Sequence, residues 1–200
     1  MTTPTSPSFK EGYVLATDCE ISMRCHDRHF RDTVFLDASS ESTIFALDCP
    51  GLFTSWSMRK TIRDAAGLQV LQIRHVSTSI VENWIVEDAL GKRICTAKGS
   101  KEAKSGATVI EARVEGGEGE IEGFGIEIRS GDHAGTETVF RVDGVVVAEM
   151  LLVTNNDLSL LGRRGLDRSG WKLKVKAGTD LALVAALAVC RAEVLHAWRR

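Results

Sequence analysis

Residues 171 to 194 read WKLKVKAGTDLALVAALAVCRAEV, and the two halves of this stretch follow different periodicities. In the first half Trp171, Leu173, Val175 and Ala177 alternate with Lys172, Lys174 and Lys176, the pattern of a strand with one buried and one wet face. In the second half Leu181 to Cys190 is an unbroken apolar run of Ala, Leu, Val and Cys with no polar stripe. Its composition predicts a helix over 179–198, with Thr179 as N-cap and Asp180 in the first turn. His196, Arg199 and Arg200 suit the negative C-terminal end. A helix without a wet face has to be covered on every side. At about 1.5 Å per residue, ten residues span about 15 Å, half of a bilayer core, and Arg191 and Glu193 then interrupt the run. No transmembrane segment is expected, and the helix is placed inside a folded domain.

The cover comes from upstream. Short runs of Val, Ile, Phe, Thr and Leu are punctuated by Asp37-Ala38-Ser39-Ser40, Asp64-Ala65-Ala66-Gly67, Asp88-Ala89-Leu90-Gly91 and Asp143-Gly144. Asp accepts backbone N–H groups and Gly permits positive φ, so each cluster closes a tight hairpin. The runs predict strands near 19–25, 33–37, 43–48, 56–63, 68–74, 83–87, 92–98, 107–114, 124–130, 136–142, 145–153 and 171–177. A helix with its side chains is about 10 to 12 Å across, whereas a barrel of about eight strands is filled by its own side chains. About twelve strands make the wider tube that a swallowed helix requires. The competing arrangement, a lipocalin-like barrel or a sandwich with the helix outside, calls for a polar face between 181 and 190, and the sequence has none there. The expected fold is therefore mainly β: a closed antiparallel barrel enclosing a central apolar C-terminal helix. Residues 1–12 form a flexible leader in this reading, and 13–200 a single domain.

Composition narrows the function. The 25 basic and 27 acidic side chains leave a formal charge of −2, which gives no global attraction for nucleic acid. Five scattered cysteines without a C-x-x-C pair suggest reduced thiols in a cytoplasmic protein, not a disulfide framework or zinc ribbon. The polar N-terminus lacks the apolar core of a secretory signal. G-x-S-x-G, H-E-x-x-H and Walker A motifs are absent, so no catalytic residues are assigned and no enzyme activity or cofactor is expected.

One group of residues stands out as an anion site: Arg163, Arg164 and Arg168, followed by Lys172, Lys174 and Lys176 on one outer strand face. Adjacent arginines can grip a phosphate while the lysines add positive field. The bland reading of the same residues is a solvated strand face. Lys98, Lys101 and Lys104 form a second, looser basic cluster. Cys25, His26, Asp27 and His29 carry metal-capable groups, but no second set with ligand spacing accompanies them, so no metal is assigned. The run from Gly116 to Gly123 has glycines, but its glutamates would repel phosphate. Trp56, Trp84 and Trp171 fall at apolar strand positions and are read as barrel-lining.

The hairpin succession TVFLDASSESTIFAL (33–47), MRKTIRDAAGLQVLQIRH (58–75), NWIVEDALGKRICTA (83–97) and FRVDGVVVAEM (140–150), with the final helix, resembles the LURP-one-related proteins of the tubby C-terminal-like superfamily, which includes the phospholipid scramblases. Gly178, Asp180 and Leu181 to Cys190 match the family's gly-x-asp start and apolar helix inside a twelve-stranded barrel. Arg191 and Ala192 depart from it, standing where relatives often carry apolar residues. The resemblance implies a non-enzymatic binding or scaffold domain, recognising anionic phospholipid such as a phosphoinositide at a cytoplasmic membrane surface. The alternative is a protein-interaction or regulatory domain without a lipid ligand, and an enzyme of unknown class is the third.

Overall fold

The structure is a computed structural model and describes residues 12–25, 30, 33–49, 59–76, 83–102, 108–115, 123–132, 135–155 and 169–197. Twelve strands precede one helix: β1 (Cys19–Cys25), β2 (Thr33–Asp37), β3 (Thr43–Asp48), β4 (Lys60–Asp64), β5 (Gln69–His75), β6 (Asn83–Asp88), β7 (Arg93–Lys101), β8 (Thr108–Val114), β9 (Gly125–Ser130), β10 (Glu137–Val142), β11 (Val145–Asn155), β12 (Ser169–Val175) and α1 (Leu181–Ala197). Each strand pairs antiparallel with its sequence neighbours, and β12 pairs back onto β1 to close the barrel. The expected twelve-stranded tube is what forms. Residues 56–58, expected at the start of β4, and Trp56 with them, lie outside the described residues.

The turn chemistry works as the residues dictate. Asp64 Oδ1 accepts the N–H groups of Ala66 and Leu68, and Asp88 Oδ1 those of Leu90 and Lys92. Asp37 Oδ1 accepts from the hydroxyls and N–H groups of Ser39 and Ser40, which lowers its pKa to about 2. Gly67 and Gly91 take φ of +81°, the left-handed conformation that favours glycine. Several hairpins carry register shifts, as between Phe140 and Arg141 opposite β11, and such bulges help a sheet curve.

Because consecutive strands alternate direction, the two barrel ends differ. Near the end where the helix starts, the short turns β2–β3, β4–β5, β6–β7 and β10–β11 close the rim. At the far end lie the last residues of β1, β3, β5, β7, β9 and β11, the first residues of the strands that follow them, and the C-terminal end of the helix. Every residue from Leu181 to Ala192 is buried. Ala182, Ala185, Ala186 and Ala188 keep the helix slim, while Phe35, Phe45, Trp84, Ile110, Phe140 and Trp171 are among the side chains that fill the space around it. The helix cap differs from the expected one: Asp180, not Thr179, is the N-cap, its Oδ1 accepting the Leu183 N–H at 3.0 Å. Asp180 also bridges to Val14, so the segment before β1 pins the start of the helix, and one more residue is spent in the turn after Gly178.

Candidate functional site

The alternation of β12 places Lys172, Lys174 and Lys176 on the outer face, as the sequence implies. What the sequence does not display is their company. Lys172 Nζ pairs with Glu20 at 3.2 Å, and Lys176 Nζ with Asp18 at 2.9 Å. The Lys176 ammonium and the Ala177 N–H hold the Asp18 carboxyl below its ordinary value, and Asp18 in turn raises Lys176. Lys174 lies in register between Glu20 and Glu149 and makes no ion pair among the described residues. Three lysines thus meet Asp18, Glu20 and Glu149, acids that offset part of their charge, and Lys174 is left unpaired among the described residues. Arg163, Arg164 and Arg168 lie outside the described residues.

A second ingredient sits on β11, beside these lysines. Leu151 is in register with Lys172, and with Val153 it points outward, 45% and 51% exposed. Val145 to Asn155 is rich in aliphatics throughout, so the sequence alone does not single these two out. They form a small apolar step next to Lys172 toward the far end of the barrel.

The far end also holds a polar layer inside the tube. Lys60 on β4 is buried and ion-pairs with Glu193 Oε1, while Trp84 Nε1 donates to Glu193 Oε2 at 2.6 Å. Burial opposes the Lys60 charge, but Glu193 outweighs it and the pKa ends above the ordinary lysine value. One residue along from Ala192, Arg191 is fully buried; its Nε donates to Thr138 Oγ1 at 2.9 Å and its Nη2 to Ser130 Oγ at 2.6 Å. Burial pulls this guanidinium down to about 10, partly offset by Asp132, so it is charged at neutral pH. The interior roles of Lys60, Arg191 and Glu193 were not foreseen from the sequence.

Other candidates resolve simply. Cys25 is buried, and residues 26–29 lie outside the described set; no cluster able to hold a metal occurs among the described residues. Lys98 is on the outer face of β7, whereas Lys104 and the side chain of Lys101 are not described. Trp84 and Trp171 line the barrel as expected. An open groove of about 760 Å³ crosses the outside of β7 to β10, with Lys98, Arg113 and Arg141 interleaved with Glu111, Glu127 and Asp143. Between the helix and β9 and β10 a cleft of about 30 Å³ remains, room for a water but not a substrate. No described helix is long and apolar enough to cross a membrane.

Among solved structures, a protein of Arabidopsis thaliana is similar, with a TM-score of 0.54 at 16% identity over 94% of this chain and 95% of that one. Likeness at that identity speaks to the fold. A search of curated proteins gave no match. The family model described as LURP-one-related matches residues 18–192, from the start of β1 into the polar layer at the far end, and the chain belongs to that family.

Proposed function

We propose that the chain is a non-enzymatic binding domain that docks on an anionic phospholipid surface through the outer face of β11 and β12. The observation that carries this reading is the juxtaposition of exposed Leu151 and Val153 with Lys172 and Lys174 on adjoining strands. Aliphatic side chains that enter the headgroup region and lysines that meet its phosphates are the two contributions of a peripheral membrane contact. Arg163, Arg164 and Arg168, just before β12 in sequence, add to the same site in this proposal. The helix that occupies the lumen supports a surface ligand over an enclosed substrate, because the usual ligand cavity of a barrel is filled.

Flotation with phosphoinositide-containing and pure phosphatidylcholine vesicles tests it. Wild type is expected to float only with the anionic vesicles, and both a Lys172, Lys174, Lys176→Ala chain and a Leu151, Val153→Ser chain are expected to stay behind. Equal flotation of all three, or none by wild type, rejects this surface.

The second reading is a protein-interaction domain. It is favoured by Leu68 and Leu90, 66% and 94% exposed on neighbouring hairpin tips at the opposite end. Saturable capture of a partner that a Leu68, Leu90→Ser chain loses, without lipid affinity, selects it.

A further inference from the structure

Two cations lie buried at the far end of the barrel, and the fold treats them differently. Lys60 faces the Glu193 carboxylate. Arg191, on the same helix as Glu193, meets only neutral oxygens: the hydroxyls of Thr138 and Ser130 and, at 3.4 Å, the Gly135 carbonyl. Its Nη1 is buried with no hydrogen-bond partner among the described residues. Asp132, the acid that acts on it electrostatically, spends its own oxygens on the Thr136 hydroxyl and the Glu137 N–H. A buried charge without a directly paired counter-ion, and a buried donor without an acceptor, each carry a substantial penalty. A chain that only needed to plug the barrel would do so with an apolar residue at this position.

The hydrogens on offer define the missing group. Nη1 carries two N–H hydrogens on the edge of the guanidinium away from Nε and Nη2, which face Thr138 and Ser130. Two N–H donors on one positive charge call for an acceptor-only anion that presents oxygens. Gly135, at φ +71°, closes over the guanidinium so tightly that a methyl there would lie 2.6 Å from Leu195 Cδ2 and 3.1 Å from Arg191 Nη2, so a ligand can enter only if a side chain gives way. Leu195, on the last turn of the helix, is only half-buried.

We propose that Arg191 is the anchor of an oxyanion site at the far end of the barrel, taking a phosphate group through Nη1, with Leu195 moving aside to admit it. The group comes from a soluble phosphate or from a lipid headgroup; the chemistry at Nη1 is the same. The site does not rest on the membrane reading above.

Thermal unfolding of the full chain with inorganic phosphate against chloride of equal ionic strength tests it. Wild type is expected to show a rise in Tm that saturates in the millimolar range, as binding to the folded state alone requires. Sulfate and phosphate stabilise many proteins without saturation, so saturation is the criterion. R191M is expected to lose the saturable rise while melting no lower than wild type without phosphate. R191K keeps the charge without the planar fork and is expected to need about tenfold more phosphate, which keeps the test open if R191M does not fold. No saturable rise in wild type, or the same rise in R191K as in wild type, overturns the proposal. Vesicle flotation separates the sources: weaker flotation of R191K points to a headgroup, unchanged flotation to a soluble phosphate. A wild type that floats with neither vesicle but keeps the saturable phosphate response removes the membrane reading and leaves this one.

Discussion

At the scale of single residues, the polar layer around the last turns of the helix is where the chain departs from a plain greasy core. Glu193 serves Lys60 and Trp84 at once, so Glu193→Gln leaves a buried ammonium unpaired. Removing one partner of a buried pair costs about 3–5 kcal/mol, whereas replacing both with apolar residues of similar size is often close to neutral. Urea denaturation is expected to show E193Q destabilised by about that amount and a K60M/E193L double variant recovering most of it; a double variant as weak as the single one contradicts a simple pair. Little of this was legible beforehand. Lys60 and Glu193 lie 133 positions apart, and only closure of the barrel brings them together. In sequence Arg191 and Glu193 read as nothing more than the end of the apolar run. The outer lysines were legible because alternation is local; the acids that meet them, Asp18 just before β1, Glu20 on β1 and Glu149 on β11, were not, since register across strands decides who meets whom.

At the scale of elements, nearly everything was readable, for a physical reason. Strand alternation repeats every two residues and the Asp and Gly turns close hairpins within four or five, so the information lies inside each hairpin. The helix was readable because a run with no polar face has one stable home. The one-residue shift of its cap to Asp180 was not, because Val14 helps decide it from far away in sequence. The burial of Leu187 on all sides leads to a sharp expectation. Leu187→Asp places an unpaired carboxylate in the centre of the barrel at a cost of several kcal/mol, comparable with the whole 5–15 kcal/mol stability of a typical domain. Circular dichroism of L187D is expected to show no cooperative thermal transition. A variant that melts like wild type would mean the helix is not enclosed.

At the scale of the whole molecule, closure and filling depend on each other. The barrel has no edge strand to fray, and the lumen without the helix would be an empty apolar tube. The helix therefore has no cheap way out while the strands stay paired, and barrel and helix should open as one cooperative unit. Two thiols report this directly. Cys95 on β7 and Cys190 on the helix are both fully buried, and burial raises Cys95 to about 12 and Cys190 well above the ordinary thiol value. Only the thiolate reacts appreciably, so at mildly alkaline pH neither labels from the native state, and both wait for global opening. As pH climbs past the ordinary value near 9.0 toward 12, the open form deprotonates first and the native state loses stability, so labelling accelerates for both together. Cys19, only partly buried, is expected to label ahead of them. With a thiol reagent in excess and mass spectrometry to assign sites, Cys95 and Cys190 should share one slow rate that rises in parallel with added urea. A Cys190 that labels many times faster than Cys95 would show the helix leaving an intact barrel, and the two would then be separate cooperative units.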